Sequence, residues 1–72
     1  MDINRYIYIS AVAALQNLTK AAEELHISQP ALTKAIRRTE EETGVQLFER
    51  RSNSLRLTYA GERFLNGAKN LI

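Results

Sequence analysis

The chain has 72 residues, with 10 basic and 8 acidic side chains, one histidine and no cysteine. That bounds it to one small domain burying only ~60% of its unfolded surface, and it excludes a disulfide, a thiolate cluster or a zinc site as a brace. Apolar residues at 44% and charged residues at 25% fit a folded domain, no apolar run approaches the ~20 residues that span a bilayer, and the start Met1-Asp2-Ile3-Asn4-Arg5 lacks a secretory pattern, so a cytoplasmic domain with no membrane or metal partner is expected.

Ile3 to about Leu15 reads as a first helix. Ile3, Ile7, Ser10, Ala14 and Tyr6, Ile9, Ala13 form two adjacent stripes, so one face meets the core and another meets something else. Asn17 offers a helix cap. Leu18, Ala21, Ala22 and Leu25 follow at i, i+3, i+4, i+7, the apolar face of a short second helix whose alanine pair allows a close helix neighbour. Through residue 27, Arg5 and Lys20 against Asp2, Glu23 and Glu24 leave a charge of −1.

His26-Ile27 breaks the pattern, and Ser28 is a strong N-cap. Pro30 falls in the next helix's first turn, where a missing amide hydrogen costs nothing, and Gly44 suits the left-handed stop. Residues 29–43 are therefore a third helix, and two helices joined by about three residues make a helix-turn-helix signature. On the third helix Leu32, Ile36, Thr39 and Thr43 share one side, facing the core. Pro30, Thr33, Lys34 and Arg37 lie nearly opposite, with Gln29 at the edge of the same end. Lys34, Arg37 and Arg38 give residues 28–39 a charge of +3 before Glu40, Glu41 and Glu42 reverse it. Donors gathered at the amino-terminal end of such a helix suit the edges of base pairs in a major groove, where Gln29 can contact adenine through both ends of its amide. The acidic triplet reads as a solvated face.

Val45, Leu47 and Phe48 lie close to a possible strand, and Leu55-Arg56-Leu57-Thr58 alternates like one. Between them Arg50-Arg51-Ser52-Asn53-Ser54 is a polar, basic turn. Two strands with a basic loop read as a wing after a helix-turn-helix; a plain surface hairpin is the alternative. Thr58 can cap a last helix, along which Phe64, Leu65, Ala68, Leu71 and Ile72 form an apolar stripe. A helix still apolar at Ile72 is expected either to dock on a partner chain or to continue. Gly67 inside it costs ~1 kcal/mol relative to alanine.

These residues resemble LysR-type transcriptional regulators. The run from Leu18 to Thr33, including Ser28-Gln29-Pro30-Ala31-Leu32, is similar to that family's helix-turn-helix. Ile36-Arg37-Arg38, Gly44-Val45, Leu47-Phe48-Glu49-Arg50 and Leu57-Thr58-Tyr59-Ala60-Gly61 continue the likeness at the family's spacing. The resemblance implies a mainly α, winged helix-turn-helix fold: a three-helix core and a short two-stranded β wing over residues 1–58, then the start of a linker and dimerisation helix over 59–72. It implies operator DNA as partner and a homodimer in the parent protein, weak in this chain, with the effector-sensing domain absent and no cofactor in this one. Gln29, Pro30, Thr33 and Lys34 match the family's major-groove positions. Ser28 caps the helix and can reach phosphate. Thr19, Arg37, Arg38 and Arg50 match positions at or near the DNA backbone, and Arg51 or Arg56 could substitute for a basic wing tip. Phe64, Leu65, Ala68, Leu71 and Ile72 match the dimerisation element. The chain departs from the pattern at Thr39 and Thr43, where leucine is usual. It also departs at Gln16, a common glycine, at Gln46, a frequent proline, and at the wing tip, Asn53 and Ser54.

Two other classes compete. A helical module could bind protein through its acidic segment and apolar end. An enzyme is disfavoured, since there is no phosphate loop, nucleophile-base pair or metal cluster. His26 sits at a helix-helix turn, suited to packing or surface, and Tyr6, Tyr8 and Tyr59 are expected in the core or an interface.

Overall fold

The first helix, α1 (Ile3–Leu15), buries Ile9 and Val12. It ends at Gln16, whose backbone is left-handed (φ 54) and whose amide donates to Val12 O at 2.7 Å. The non-glycine residue thus makes the turn a glycine would make more easily, at a cost of ~1 kcal/mol. Helix α2 (Leu18–Leu25) follows, with the Asn17 side chain accepting from Lys20 N at 2.9 Å. The structure, a computed structural model, describes residues 3–52 and 54–69, with side chains through Gly67.

Helix α2 stops in a left-handed residue, His26 (φ 58). His26 N donates to Glu23 O and Ile27 N to Ala22 O, at 3.2 and 3.1 Å, the paired bonds that reverse a chain after a helix. Ser28 then caps α3 (Gln29–Thr43), accepting from Ala31 N at 3.2 Å, and Gly44 (φ 74) closes it. Ala21 and Ala22 are buried where α1 and α3 converge on α2, and Leu32 and Ile36 complete the centre.

The β wing consists of β1 (Phe48–Arg51) and β2 (Ser54–Leu57), antiparallel, with Phe48 opposite Leu57 and Arg50 opposite Leu55. The first strand runs to Arg51 and the second starts at Ser54, so Arg50, Arg51 and Ser54 lie in strands and not in the five-residue loop expected over 50–54. Arg50 and Arg51 belong to a strand because pairing Phe48 with Leu57 and Leu55 with Arg50 keeps the apolar side chains on one face. Leu55 N donates to Gln16 O at 3.1 Å, pinning the wing to the α1–α2 turn. Helix α4 (Tyr59–Lys69) returns across α1 and β2.

Thr58 governs that return. Its hydroxyl donates to Gln46 O at 2.6 Å and accepts from Gly61 N at 2.9 Å, while its amide donates to Leu47 O at 2.9 Å. Thr39 is buried as expected, its hydroxyl donating to Ala35 O at 2.9 Å. Thr43 is not: one turn further on, α3 has passed the core and Thr43 is exposed. Tyr59 is 73% exposed, with the Arg63 guanidinium 5.9 Å from its ring centre, so it is no core residue. The described residues contain no helix long and apolar enough to cross a membrane.

Candidate nucleic-acid interface

With Leu32 and Ile36 turned inward, α3 presents Gln29, Pro30, Thr33, Lys34 and Arg37 along one open recess, with Arg38 and Glu41 at its far end. All are exposed except Thr33, which is half-buried. Every lining side chain comes from the same helix, so the recess is a convex rod's outer flank rather than a pocket for a small molecule. The rod is held at its amino-terminal end by the Ser28 cap, whose hydroxyl proton remains available to an acceptor.

Two residues from other elements join this face. Thr19, in the first turn of α2, donates its hydroxyl to Gln29 Oε1 at 3.1 Å. Arg50, on β1, shares one recess with Thr19 and Gln29 and a second with Thr33 and Arg37. The other wing arginines go elsewhere. Successive strand residues alternate between faces, so Arg51 and Arg56 lie on the side opposite Arg50. Arg51 Nη2 also donates to Glu49 Oε1 at 3.1 Å, forming an ion pair. The three wing arginines are therefore not one cluster, and only Arg50 joins the α3 face.

The acidic triplet behaves differently from a solvated face. Glu40 is half-buried, and its Oε2 accepts from Leu47 N at 2.8 Å and Phe48 N at 3.4 Å. Glu42 pairs with Arg5 of α1. Of the three, Glu41 alone is exposed beside the basic flank with no partner among the described residues. Among the described residues, Lys34, Arg37, Arg38 and Arg50 form no ion pair with a carboxylate, so their charges are unspent. The sequence had not singled out Glu40 as an acceptor for Leu47 and Phe48, nor the Thr19–Gln29 contact between α2 and α3; residue spacing held no signal for either.

Of the residues expected in a dimer contact, Phe64 and Leu65 are half-buried against the chain's own core. The Ala68 side chain, Leu71, Ile72 and the wing-tip residue Asn53 lie outside the described residues.

Three helices with a tight turn before the third, a two-stranded wing and a basic outward α3 flank define a winged helix-turn-helix DNA-binding domain. The family described as bacterial regulatory helix-turn-helix protein, lysR family, matches residues 3–62, and the chain belongs to it. Over all 72 residues it is 44% identical to an uncharacterized HTH-type transcriptional regulator, YcgK of Bacillus subtilis (strain 168), covering 22% of that protein. It is 42% identical to the regulator TfdT of Cupriavidus pinatubonensis, covering 32% of it. The chain thus spans about a fifth to a third of the length of these relatives. A crystal structure of the CbnR DNA-binding domain with DNA superposes with a TM-score of 0.90 at 38% identity, over 99% of this chain and 82% of that one. The BenM DNA-binding domain with its benA site 1 DNA gives 0.88 at 41%, over 99% and 83%.

Proposed function

We propose that this domain reads operator DNA by seating the amino-terminal half of α3 in the major groove. Gln29, Pro30, Thr33 and Lys34 then meet base edges, and Thr19, Ser28, Arg37, Arg38 and Arg50 meet the phosphate backbone. The observation that carries this reading is the gathering of unpaired donors on the outward flank of one capped helix, with Thr19 and Arg50 alongside. The CbnR and BenM domains crystallised with DNA share this fold, and they support the same partner here. Arg51 and Arg56 face away from α3 and meet DNA only where the duplex wraps the far side of the wing. The domain acts by binding, not catalysis, in the bacterial cytoplasm. Residues 59–72 begin a linker helix that joins two copies on adjacent half-sites, with Ala68, Leu71 and Ile72 as its apolar contacts and Phe64 and Leu65 anchoring it to its own core. In a regulator of the relatives' length, a small-molecule effector binds the remainder of the protein.

Lys34→Ala tests the reading. It is expected to weaken operator binding by about 1–3 kcal/mol and to leave the circular dichroism and melting of the domain unchanged, since Lys34 is exposed. Affinity of the parent chain should also fall steeply with added salt as phosphate counterions return. An operator affinity indifferent to Lys34→Ala would favour instead a protein-binding module.

A further inference from the structure

The contact between α2 and the first residue of α3 fixes something that the charge pattern does not. Thr19 Oγ1 donates to Gln29 Oε1 at 3.1 Å. Both partners stand on capped turns: Asn17 holds Lys20 N beneath Thr19, and Ser28 holds Ala31 N beneath Gln29. A glutamine reads adenine by using both ends at once, the oxygen accepting from N6–H while the nitrogen donates to N7. Here the oxygen is drawn back to α2, and the Nε2 hydrogens are the end left to face a groove.

We propose that Thr19 is a positioning residue that fixes Gln29 as a hydrogen-bond donor, so that the base beneath it is chosen for a keto oxygen, guanine O6 or thymine O4, and not for adenine. The chemistry ranks the four bases. Guanine offers two adjacent acceptors and thymine one. Adenine offers N7 but leaves its N6 hydrogens only the second lone pair of Oε1, on an oxygen turned toward α2 and away from the groove, and cytosine presents only a donor. This inference rests on the major-groove reading above and deepens it.

The test begins with selection of bound duplexes from a random pool, using the 72-residue chain. Gln29→Ala then marks the position Gln29 reads, as the one whose preference collapses. At that position, competition binding should show the keto bases favoured over adenine by roughly tenfold. Thr19→Val removes the hydroxyl and keeps the shape; the ratio should fall to within about threefold or reverse toward adenine, and Thr19→Ser should restore it. Thr19→Ala serves as a second hydroxyl-free variant should valine disturb the fold. The readout is a ratio, so losing a phosphate contact from Thr19, which weakens all sequences alike, does not move it. An adenine preference in the parent chain, or a ratio unchanged by removing the hydroxyl, overturns the proposal. So does a Gln29→Ala variant that loses preference nowhere. If Lys34→Ala has no effect on the selected sequence, the major-groove reading itself fails, and the proposal with it.

Discussion

Gly61→Ala should destabilise the domain by about 2–3 kcal/mol, the cost of forcing an extra carbon into a packed site. A Cβ at Gly61 would overlap Leu47 O and lie 2.7 Å from Leu57 Cδ2. Neither neighbour is free to yield. Leu47 O already accepts from Thr58 N at 2.9 Å, and Leu57 belongs to the wing. Relief therefore requires α4 to lift away from the segment between α3 and β1, breaking the Thr58 cap. A domain of this size holds only about 4–10 kcal/mol of stability, so the loss should appear as a lower urea midpoint and a melting temperature reduced by roughly 10–20 °C. Gly67→Ala is the internal control: it lies in the same helix, is exposed, and has nothing within 4 Å of the added carbon. It should stabilise by about 0.5–1 kcal/mol. If the two variants behave alike, the close approach at Gly61 is not what holds α4 in place.

Glu40→Ala is expected to cost about 3 kcal/mol. The carboxylate accepts two backbone amides from the chain just before and at the start of β1, and Leu47 is fully buried. Removing the acceptor leaves the Leu47 amide facing an apolar interior, while charge-assisted bonds of this kind are stronger than neutral ones. Glu40→Gln keeps an acceptor oxygen and should lose only about 1 kcal/mol. Urea unfolding of both variants checks the ladder. Equal and small losses would show that the carboxylate is replaced by water. Because Glu40 sits one turn beyond Arg37 on α3, its loss should also loosen the wing, and with it the placement of Arg50.

The helices were legible because their ends carry local chemistry. Asn17, Ser28, Pro30 and Gly44 each satisfy or omit a backbone group at a helix terminus, so the boundaries follow from residue types alone. The outward face of α3 followed from spacing, since Leu32 and Ile36 had to point inward. The wing was less legible. Its arginines sort to opposite faces by the register, and the register depends on strand ends, Arg51 opposite Ser54, that composition does not announce. Placing the turn over residues 50–54 hid the separation of Arg50 from Arg51 and Arg56. Glu40 and Gly61 were hidden for another reason: their roles lie in contacts with Leu47 that exist only once α3, β1 and α4 have met. Thr19 and Gln29, ten residues apart, come together only because the left-handed His26 folds α3 back over the start of α2.

The most direct measurement is a map of backbone amide shifts in the isotope-labelled domain titrated with a selected duplex. The changes should concentrate at Thr19, from Ser28 to Arg38 and at Arg50, and leave the exposed stripe at Ile3 and Ile7 and the end of α3 from Glu41 to Thr43 undisturbed. Shifts confined to α1 and α4, with those of Thr33, Lys34 and Arg37 unmoved at saturation, would mean that the basic flank of α3 is not where DNA sits.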